Sequence, residues 1–312
     1  MDLVGCLLLD KAKGITSFEA VDSLRKGLGC RKAGHIGTLD PLATGLLLTC
    51  LGRATKLAQF LVGWDKEYIA TIKLGVTTDT WDKDGAVLET TEIESIPLGE
   101  IENIAKKLTG EVEMEVPQYS AVRVGGKRLH QLARAGKVMP EIYRKSQIHS
   151  AEILDYDMKA NLLTVKILCS KGTYIRSWAY HFGLIAGTGA TLWELRRTGL
   201  GPYRVEDALT IDSIRDEFEH DGLERRLISP TDVLSHMPRI VLADEGCQKL
   251  RHGALFGNQH IMENDKFQKD NWVRIVDHRQ ELLAVGRTEC DSETIQSEGE
   301  IPPCRYERVL VE

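Results

Sequence analysis

The sequence predicts a mixed α/β protein with a small β-barrel in its C-terminal part, on three observations. First, strand-length stretches alternate in polarity. Lys66 to Leu74 puts Tyr68, Ala70, Ile72 and Leu74 on one face, and Leu163 to Cys169 does the same with Leu163, Val165, Ile167 and Cys169. Second, helical patterns lie between such stretches, over about 17–28 and 97–109 and around Trp178, Ala179 and Phe182. Third, the character changes at Pro238. Short apolar runs (240–242, 272–276, 282–286, 309–311) then follow one another, spaced by turn residues, with a short helical piece at 244–251.

A chain of 312 residues is long enough for two domains and a substantial core. No apolar run approaches membrane-spanning length, and the first ten residues lack the basic region of a signal peptide. The seven cysteines are scattered, odd in number and never in Cys-x-x-Cys spacing. That pattern argues against zinc and a disulfide framework and fits a reducing cytosol. The expected location is cytoplasmic.

The net charge of −6 counts against a nucleic-acid partner, but its distribution softens the objection. Residues 81–115 carry ten Asp/Glu against three Lys/Arg, whereas Ala121 to Lys145 carries seven Lys/Arg against Glu141 alone. Cations without acidic neighbours to pair with favour an RNA-backbone arm over a solvated helical hairpin, because phosphate contacts depend on local charge. This stretch holds Gly125-Gly126-Lys127-Arg128 and a helical pattern from Leu129 to Arg134.

Taken in order, Leu7-Leu8-Leu9 is a short strand, and Asp10 to Gly14 is a turn. Thr16 and Glu19 stand at capping-box spacing before the apolar periodicity of Phe18, Val21, Leu24 and Leu28. The stretch Gly34 to Gly45 contains three glycines, a proline and two threonines around one carboxylate, Asp40. Glycine and proline at this density predict a shaped loop, and Pro41 pushes Asp40 towards extended backbone. The next run, Leu46 to Leu51, reads as a buried strand, so Asp40 sits at the lip of a core element. That placement suits an aimed acid, and equally a turn aspartate bonding its own backbone.

Gly52 to Lys56 opens a helix running to about Val62. The acidic segment Gly75 to Gly85 invites a calcium-loop reading. That reading fails, because the glycine and the bidentate glutamate stand at the wrong positions. Arg176, one turn inside a helix, is a position usually exposed. Near a strand end it can instead turn inward and pair with a buried carboxylate. Thr191 to Thr198 is a further strand, and 205–234 is an acidic helical region.

Several segments, in order across residues 5–203, resemble the bacterial tRNA pseudouridine synthase B (TruB) family. They are Asp10-Lys11-x-x-Gly14-x-Thr16-Ser17, Gly34-His35-x-Gly37-Thr38-Leu39-Asp40-Pro41-Leu42-Ala43-Thr44-Gly45, Gly52-Arg53-Ala54-Thr55-Lys56, Lys66-x-Tyr68-x-Ala70, Gly75-x-x-Thr78-Asp79-Thr80-x-Asp82-x-x-Gly85, Cys169-Ser170-Lys171-Gly172-Thr173-Tyr174-Ile175-Arg176 and Leu195-Arg196-Arg197. Leu283-Ala284-Val285-Gly286 resembles, more weakly, the family's PUA-type RNA-binding barrel. Two positions depart from the family's usual residues. Ala12 stands where proline is usual, and Ile36 where threonine is frequent.

The resemblance implies a pseudouridine-synthase catalytic domain at 1–235 with a mostly antiparallel central sheet, a T-loop-binding insertion at about 119–147, and a PUA-like RNA-binding domain at 236–312. It implies isomerisation of the T-loop uridine (U55) of tRNA to pseudouridine by base flipping, with no metal and no cofactor. It also implies a monomer that needs no guide RNA or protein partner. Asp40 matches the catalytic carboxylate, Tyr68 the residue stacked on the target base, and Arg176 the arginine paired with the aspartate. His35 matches a residue that holds the flipped loop, and Tyr174 and Leu195 match pocket walls. Lys11 and Arg128 complete the expected substrate contacts. A non-catalytic RNA-binding protein, or a carboxylate hydrolase with an accessory barrel, are the alternatives, and the latter lacks an evident second acid.

Overall fold

The computed structural model describes residues 3–93, 95–120, 122–124, 127–129, 140–220, 222–295 and 302–311. In chain order the first strands are β1 (Gly5–Lys11), β2 (Ala33–Ile36), β3 (Thr44–Leu51), β4 (Lys66–Leu74), β5 (Val76–Thr78), β6 (Val87–Thr90) and β7 (Gly110–Glu115). They are followed by β8 (Arg123–Val124), β9 (Lys127–Arg128), β10 (Tyr143–Asp157), β11 (Leu162–Cys169), β12 (Ala190–Leu200) and β13 (Tyr203–Arg204). The central sheet runs β1-β3-β12-β4-β11-β10-β7, with β2 added to β3 and β13 to β12. Every pairing in it is antiparallel except β12 on β3. The mixed α/β class and the mostly antiparallel sheet are as the sequence and its resemblance lead one to expect.

The alternation in β4 and β11 is used as read. Tyr68, Ala70, Ile72 and Leu74 pack with Leu163, Val165, Ile167 and Cys169 under Trp178 and Phe182 of the helix Ile175–Ala186 and Ile101 and Ile104 of the helix Leu98–Lys107. Thr16 caps the helix Ser17–Gly27. Its hydroxyl accepts from the Glu19 amide at 3.1 Å, while Glu19 accepts from the Thr16 amide at 2.8 Å. The Gly34 to Gly45 stretch is only partly a loop, since Gly34, His35 and Ile36 pair with Cys50, Thr49 and Leu48 as strand β2. The edge of β3 supplies free backbone partners there, and pairing wins over glycine's loop preference. The helix expected from Leu129 to Arg134 lies largely outside the described residues.

The C-terminal strands are β14 (Arg239–Leu242), β15 (Ile261–Asn264), β16 (Trp272–Val276), β17 (Leu282–Thr288) and β18 (Cys304–Val309), paired in the order β15-β14-β16-β17-β18. Strand β15 escapes a reading based on apolar runs because only Ile261 and Met262 of its four residues are apolar, and the last strand ends where the sequence suggested one began. This sheet packs directly on the first. Val241, Val276, Leu282, Val285 and Leu310 share a buried cluster with Ile36, Leu46, Leu48 and Cys50. The Gly52–Lys56 segment fastens the joint. Arg53 Nη1 donates to the Leu310 carbonyl at 2.9 Å and Lys56 Nζ to the Val309 carbonyl at 2.9 Å. Phe60 meets Trp272 edge-on at 5.2 Å.

Candidate active site

The loop between β2 and β3 carries Asp40, and four neighbours hold it. Ser17, the first residue of its helix, accepts from the Leu39 amide at 2.8 Å and donates to the Leu39 carbonyl at 3.0 Å. The Gly14 amide donates to the Pro41 carbonyl at 2.8 Å. Lys11, fully buried at the end of β1, donates to the carbonyls of Ile15 at 2.7 Å and Pro41 at 3.5 Å. His35 Nε2 stands 3.3 Å from the Thr38 hydroxyl. The loop then enters β3 at Gly45, where an added Cβ would lie 2.3 Å from the Arg197 carbonyl, so only glycine lets β3 and β12 meet.

Opposite Asp40 lies Arg176. Its Nε is 3.0 Å from Asp40 Oδ2, off the N–H axis, so the contact is an ion pair and not an aligned hydrogen bond. The guanidinium is fixed from the other side by the Thr80 carbonyl at 3.1 Å, the Tyr119 carbonyl at 3.0 Å and Asp82 Oδ2 at 3.5 Å. The Arg176 side chain is 5 % exposed and that of Asp40 37 %, so the pair presents its carboxylate outward from a buried cation. Burial pushes the Asp82 carboxyl up from its ordinary range, and its hydrogen bond with Thr80 and the Arg176 charge oppose that rise. Between Thr80 and Asp82, Trp81 adopts φ 60° and stacks on Tyr180 at 4.1 Å with ring planes 5° apart. A bulky residue in the left-handed region is strained, and the stack holds it there.

Tyr68 is 7 % exposed and lies in the same buried cluster as Leu39, Ala43 and Leu195, which packs the loop, β4 and β12 together. Burial raises the Tyr68 phenol above its ordinary value, while the Arg197 charge pulls it back down. Burial also lowers the Lys11 amine, to about 8, and depresses the His35 imidazole. Tyr174 stands immediately before the helix that carries Arg176. Arg128 has its backbone in β9, and its side chain lies outside the described residues. Among the described residues, no group of three or more His, Cys, Asp or Glu is placed to hold a metal ion.

Sequence reasoning did not single out two residues of this site. Asp82 was visible only as part of a motif, although a carboxylate two residues past Thr80 in a turn is a signal for a second acid near the first. Arg197 is fully buried on β12 opposite Tyr68. Its Nε donates to the Leu46 carbonyl at 2.6 Å and its Nη2 to the Gly37 carbonyl at 3.0 Å.

Against known proteins, a model described as the TruB family pseudouridylate synthase N-terminal domain matches residues 25–175. A model of the tRNA pseudouridylate synthase B C-terminal domain matches residues 176–235. The chain is 40 % identical over 257 residues to the tRNA pseudouridine synthase B of Geobacillus kaustophilus, covering 80 % of this chain and 90 % of that one. It is 44 % identical over 241 residues to the enzyme of the same name from Aromatoleum aromaticum, covering 76 % of each. Among solved structures it is similar to a chain of an H/ACA RNP bound to a substrate RNA containing 2'-deoxyuridine. The TM-score is 0.76 at 25 % identity, covering 99 % of this chain and 86 % of that one. It is also similar to a chain of the archaeal box H/ACA sRNP Nop10-Cbf5 complex, with TM-score 0.75 at 26 % identity over 99 % of this chain and 87 % of that one. On these family models and relatives, the chain belongs to the TruB family of tRNA pseudouridine synthases, isomerases that act on tRNA.

Proposed function

We infer that this isomerase converts the T-loop uridine of tRNA, U55, to pseudouridine, with Asp40, Tyr68 and Arg176 at the reacting base. The observation that carries the reading is the Asp40–Arg176 pair, which aims a carboxylate out of an otherwise buried site at 3.0 Å from its cation. The reaction breaks the bond from N1 of the uracil to the ribose, rotates the base and closes a bond from C5. An aimed carboxylate suits that demand, as it does in retaining glycosidases. The target base must leave its stack, at a cost of a few kcal/mol that an aromatic surface partly offsets. Tyr68 supplies that surface, and its phenol is the group to receive the C5 proton.

Recognition of the RNA follows from charge. The basic stretch 121–145 reaches the stem backbone, with Arg128 among its contacts, and His35 and Lys11 support the loop that meets the flipped T-loop. Tyr174 and Leu195 wall the pocket. The C-terminal strands, taken as a PUA-like RNA-binding domain from residue 236, extend the contact. We propose that the protein works as a monomer in the cytoplasm, without guide RNA. The test is a T-stem-loop RNA tritiated at C5 of the target uridine, offered to the native protein and to Asp40→Asn. Release by the native protein alone is expected. Tight binding by both with release by neither would overturn the assignment for this RNA.

A further inference from the structure

Arg197 is a buried cation whose charge no carboxylate among the described residues neutralises. No ion pair within 4.0 Å joins it to a described Asp or Glu, and its Nη1 has no acceptor. The fork has two ends in use. Nε holds the Leu46 carbonyl of β3 and Nη2 the Gly37 carbonyl of the catalytic loop. The remaining nitrogen, Nη1, is buried. An added Cβ on Gly37, a residue at φ 70°, would stand 3.3 Å from it, so the loop glycine leaves it room.

The neighbour across the sheet is Tyr68. Tyr68 and Arg197 are direct partners across β4 and β12, so their side chains rise from the same face of the sheet. We propose that Arg197 is the positioning residue of Tyr68. Its free Nη1 is the donor available to the phenol oxygen as that oxygen takes on the negative charge it must carry to act as a base. This rests on the reading of Tyr68 given above. In the step it serves, the C5 proton passes to the Tyr68 oxygen and the C5–H electron pair becomes the C5=C6 bond. The former N1=C6 pair returns to N1, which takes up one proton, and the phenol releases its own to water. The composition of the base is unchanged.

The groups facing the pair agree with this assignment. Tyr68 is faced by Arg197 from β12, Cys169 from β11 and Asp40 from the loop, and Arg197 alone of these favours the phenolate. Arg197 in turn is faced by Lys11 of β1, His35 of β2 and Lys66 of β4, all cations or neutral bases whose protonated forms it disfavours. A charge surrounded by like charges and left with one free donor serves a group that becomes negative only during the reaction.

The test reads the phenol directly and needs no turnover. 3-Fluorotyrosine is placed at position 68, and its ionisation is followed by fluorine NMR in otherwise native protein, in Arg197→Gln and in Arg197→Lys. The expected result is a midpoint raised by about one pH unit or more in Arg197→Gln, a tenfold weaker acid, and largely restored in Arg197→Lys. A midpoint that moves by less than about 0.3 unit in a folded Arg197→Gln protein would overturn the proposal. If Arg197→Gln does not fold, the contact is read from the other side. The nitrogen-15 signal of the Arg197 guanidinium is compared between native protein and Tyr68→Phe. A shift supports the pairing, and an unchanged signal overturns it. Either result stands apart from tritium release, so failure of the isomerase reading and failure of this one are separate outcomes.

Discussion

The two sheets of this molecule treat positive charge in opposite ways. Among the described residues, the buried lysines and arginines are Lys11, Lys66, Arg176 and Arg197, three on strands of the first sheet and Arg176 on the helix Ile175–Ala186 packed against it. In the C-terminal sheet no lysine or arginine among the described residues is buried, and three arginines meet carboxylates: Arg239 with Glu263 and Asp265, Arg287 with Asp270, Arg305 with Glu289. Arg274, partly buried, donates to the Met237 and Thr231 carbonyls. The buried four all donate to backbone carbonyls, and of them only Arg176 also has an ion pair with described carboxylates, Asp40 and Asp82. Lys11 holds Ala12, Ile15 and Pro41; Lys66 holds Val62 and Trp64; Arg176 holds Thr80 and Tyr119; Arg197 holds Gly37 and Leu46. Burying a cation costs several kcal/mol unless it is well bonded, so a plain packing role explains none of them. What they have in common is that each donates to the carbonyl of at least one loop or turn residue, so each ties a connection to the framework around the first sheet. The C-terminal sheet keeps an apolar interior of Ile240, Leu242, Val273, Ile275 and Leu283.

The sharpest way to break the comparison is to remove the charge the cations serve. Asp40→Asn keeps the size of the side chain and is expected to lower single-turnover isomerisation on the order of 10⁴-fold or more, the scale of losing a group that reacts directly. Binding of the T-stem-loop in a filter assay is expected to stay within a few fold.

Next is Arg176→Ala. It frees Asp40 and Asp82 to repel each other and leaves the Thr80 and Tyr119 carbonyls without their donor. Because the cation is buried while Asp40 is 37 % exposed, the expected loss of stability is about 3 kcal/mol, at the low end for a broken buried pair. Denaturant midpoints at constant slope would measure it. Arg176→Lys is expected to rescue little, since a single ammonium cannot face Asp40, Asp82, Thr80 and Tyr119 together.

Stability against pH gives the third measure. Burial lowers the Lys66 amine from its ordinary 10.5 to about 8, with the Arg197 charge adding to the effect. Between those values the unfolded chain holds a proton that the folded one has lost, so stability from this group rises with pH over that window, and below about 8 the charged amine costs stability. The slope for one group is at most about 1.4 kcal/mol per pH unit. Lys66→Met is expected to flatten the stability profile of the native protein between pH 8 and 10, and an unchanged difference profile would refute the assignment.

How much of this was legible in the sequence depends on whether a residue's partner is near in the chain or across the sheet. Asp40 stood out because glycine, proline and threonine shape its loop locally, and the alternation of β4 placed Tyr68 on the core face without any knowledge of its neighbours. Arg197 could not be found that way. Leu192 pairs with Ile72, Leu195 with Ala70 and Arg197 with Tyr68, because a bulge between Leu192 and Glu194 shifts the register by one residue. Strict alternation from Leu192 puts Arg196, not Arg197, on the pocket face. In the structure Arg196 points the other way and clasps Asp10 with both nitrogens, at 3.0 and 2.7 Å. A bulge is set by the partner strand, and one extra residue exchanges the two faces. The left-handed turn at Trp81 was equally unreadable, since its stabiliser, Tyr180, lies on a distant helix.

That turn supplies the fourth prediction. Trp81→Ala keeps the φ of 60° and loses the stack on Tyr180, whereas Trp81→Gly loses the stack and the backbone strain together. The glycine variant is therefore expected to be more stable than the alanine one by about 1 kcal/mol, the cost of the left-handed region for a residue with a Cβ. Equal midpoints for the two would mean that the backbone relaxes when the stack is gone.

The smallest effect belongs to the other sheet. Arg287 is 55 % exposed, lies 3.4 Å from Asp270 and sits 5.6 Å from the Trp272 ring centre. An exposed pair is worth roughly 0–1 kcal/mol and is screened by salt. Arg287→Ala is expected to cost about 0.5 kcal/mol at low salt and less at high salt. If it instead matched Arg176→Ala, cations of the C-terminal sheet would be holding structure as the buried four do, and the contrast between the two sheets would fail. If the loss fades with salt while that of Arg176→Ala persists, the contrast is one of burial: the same side chain is solvated on one sheet and a fixture of the pocket on the other.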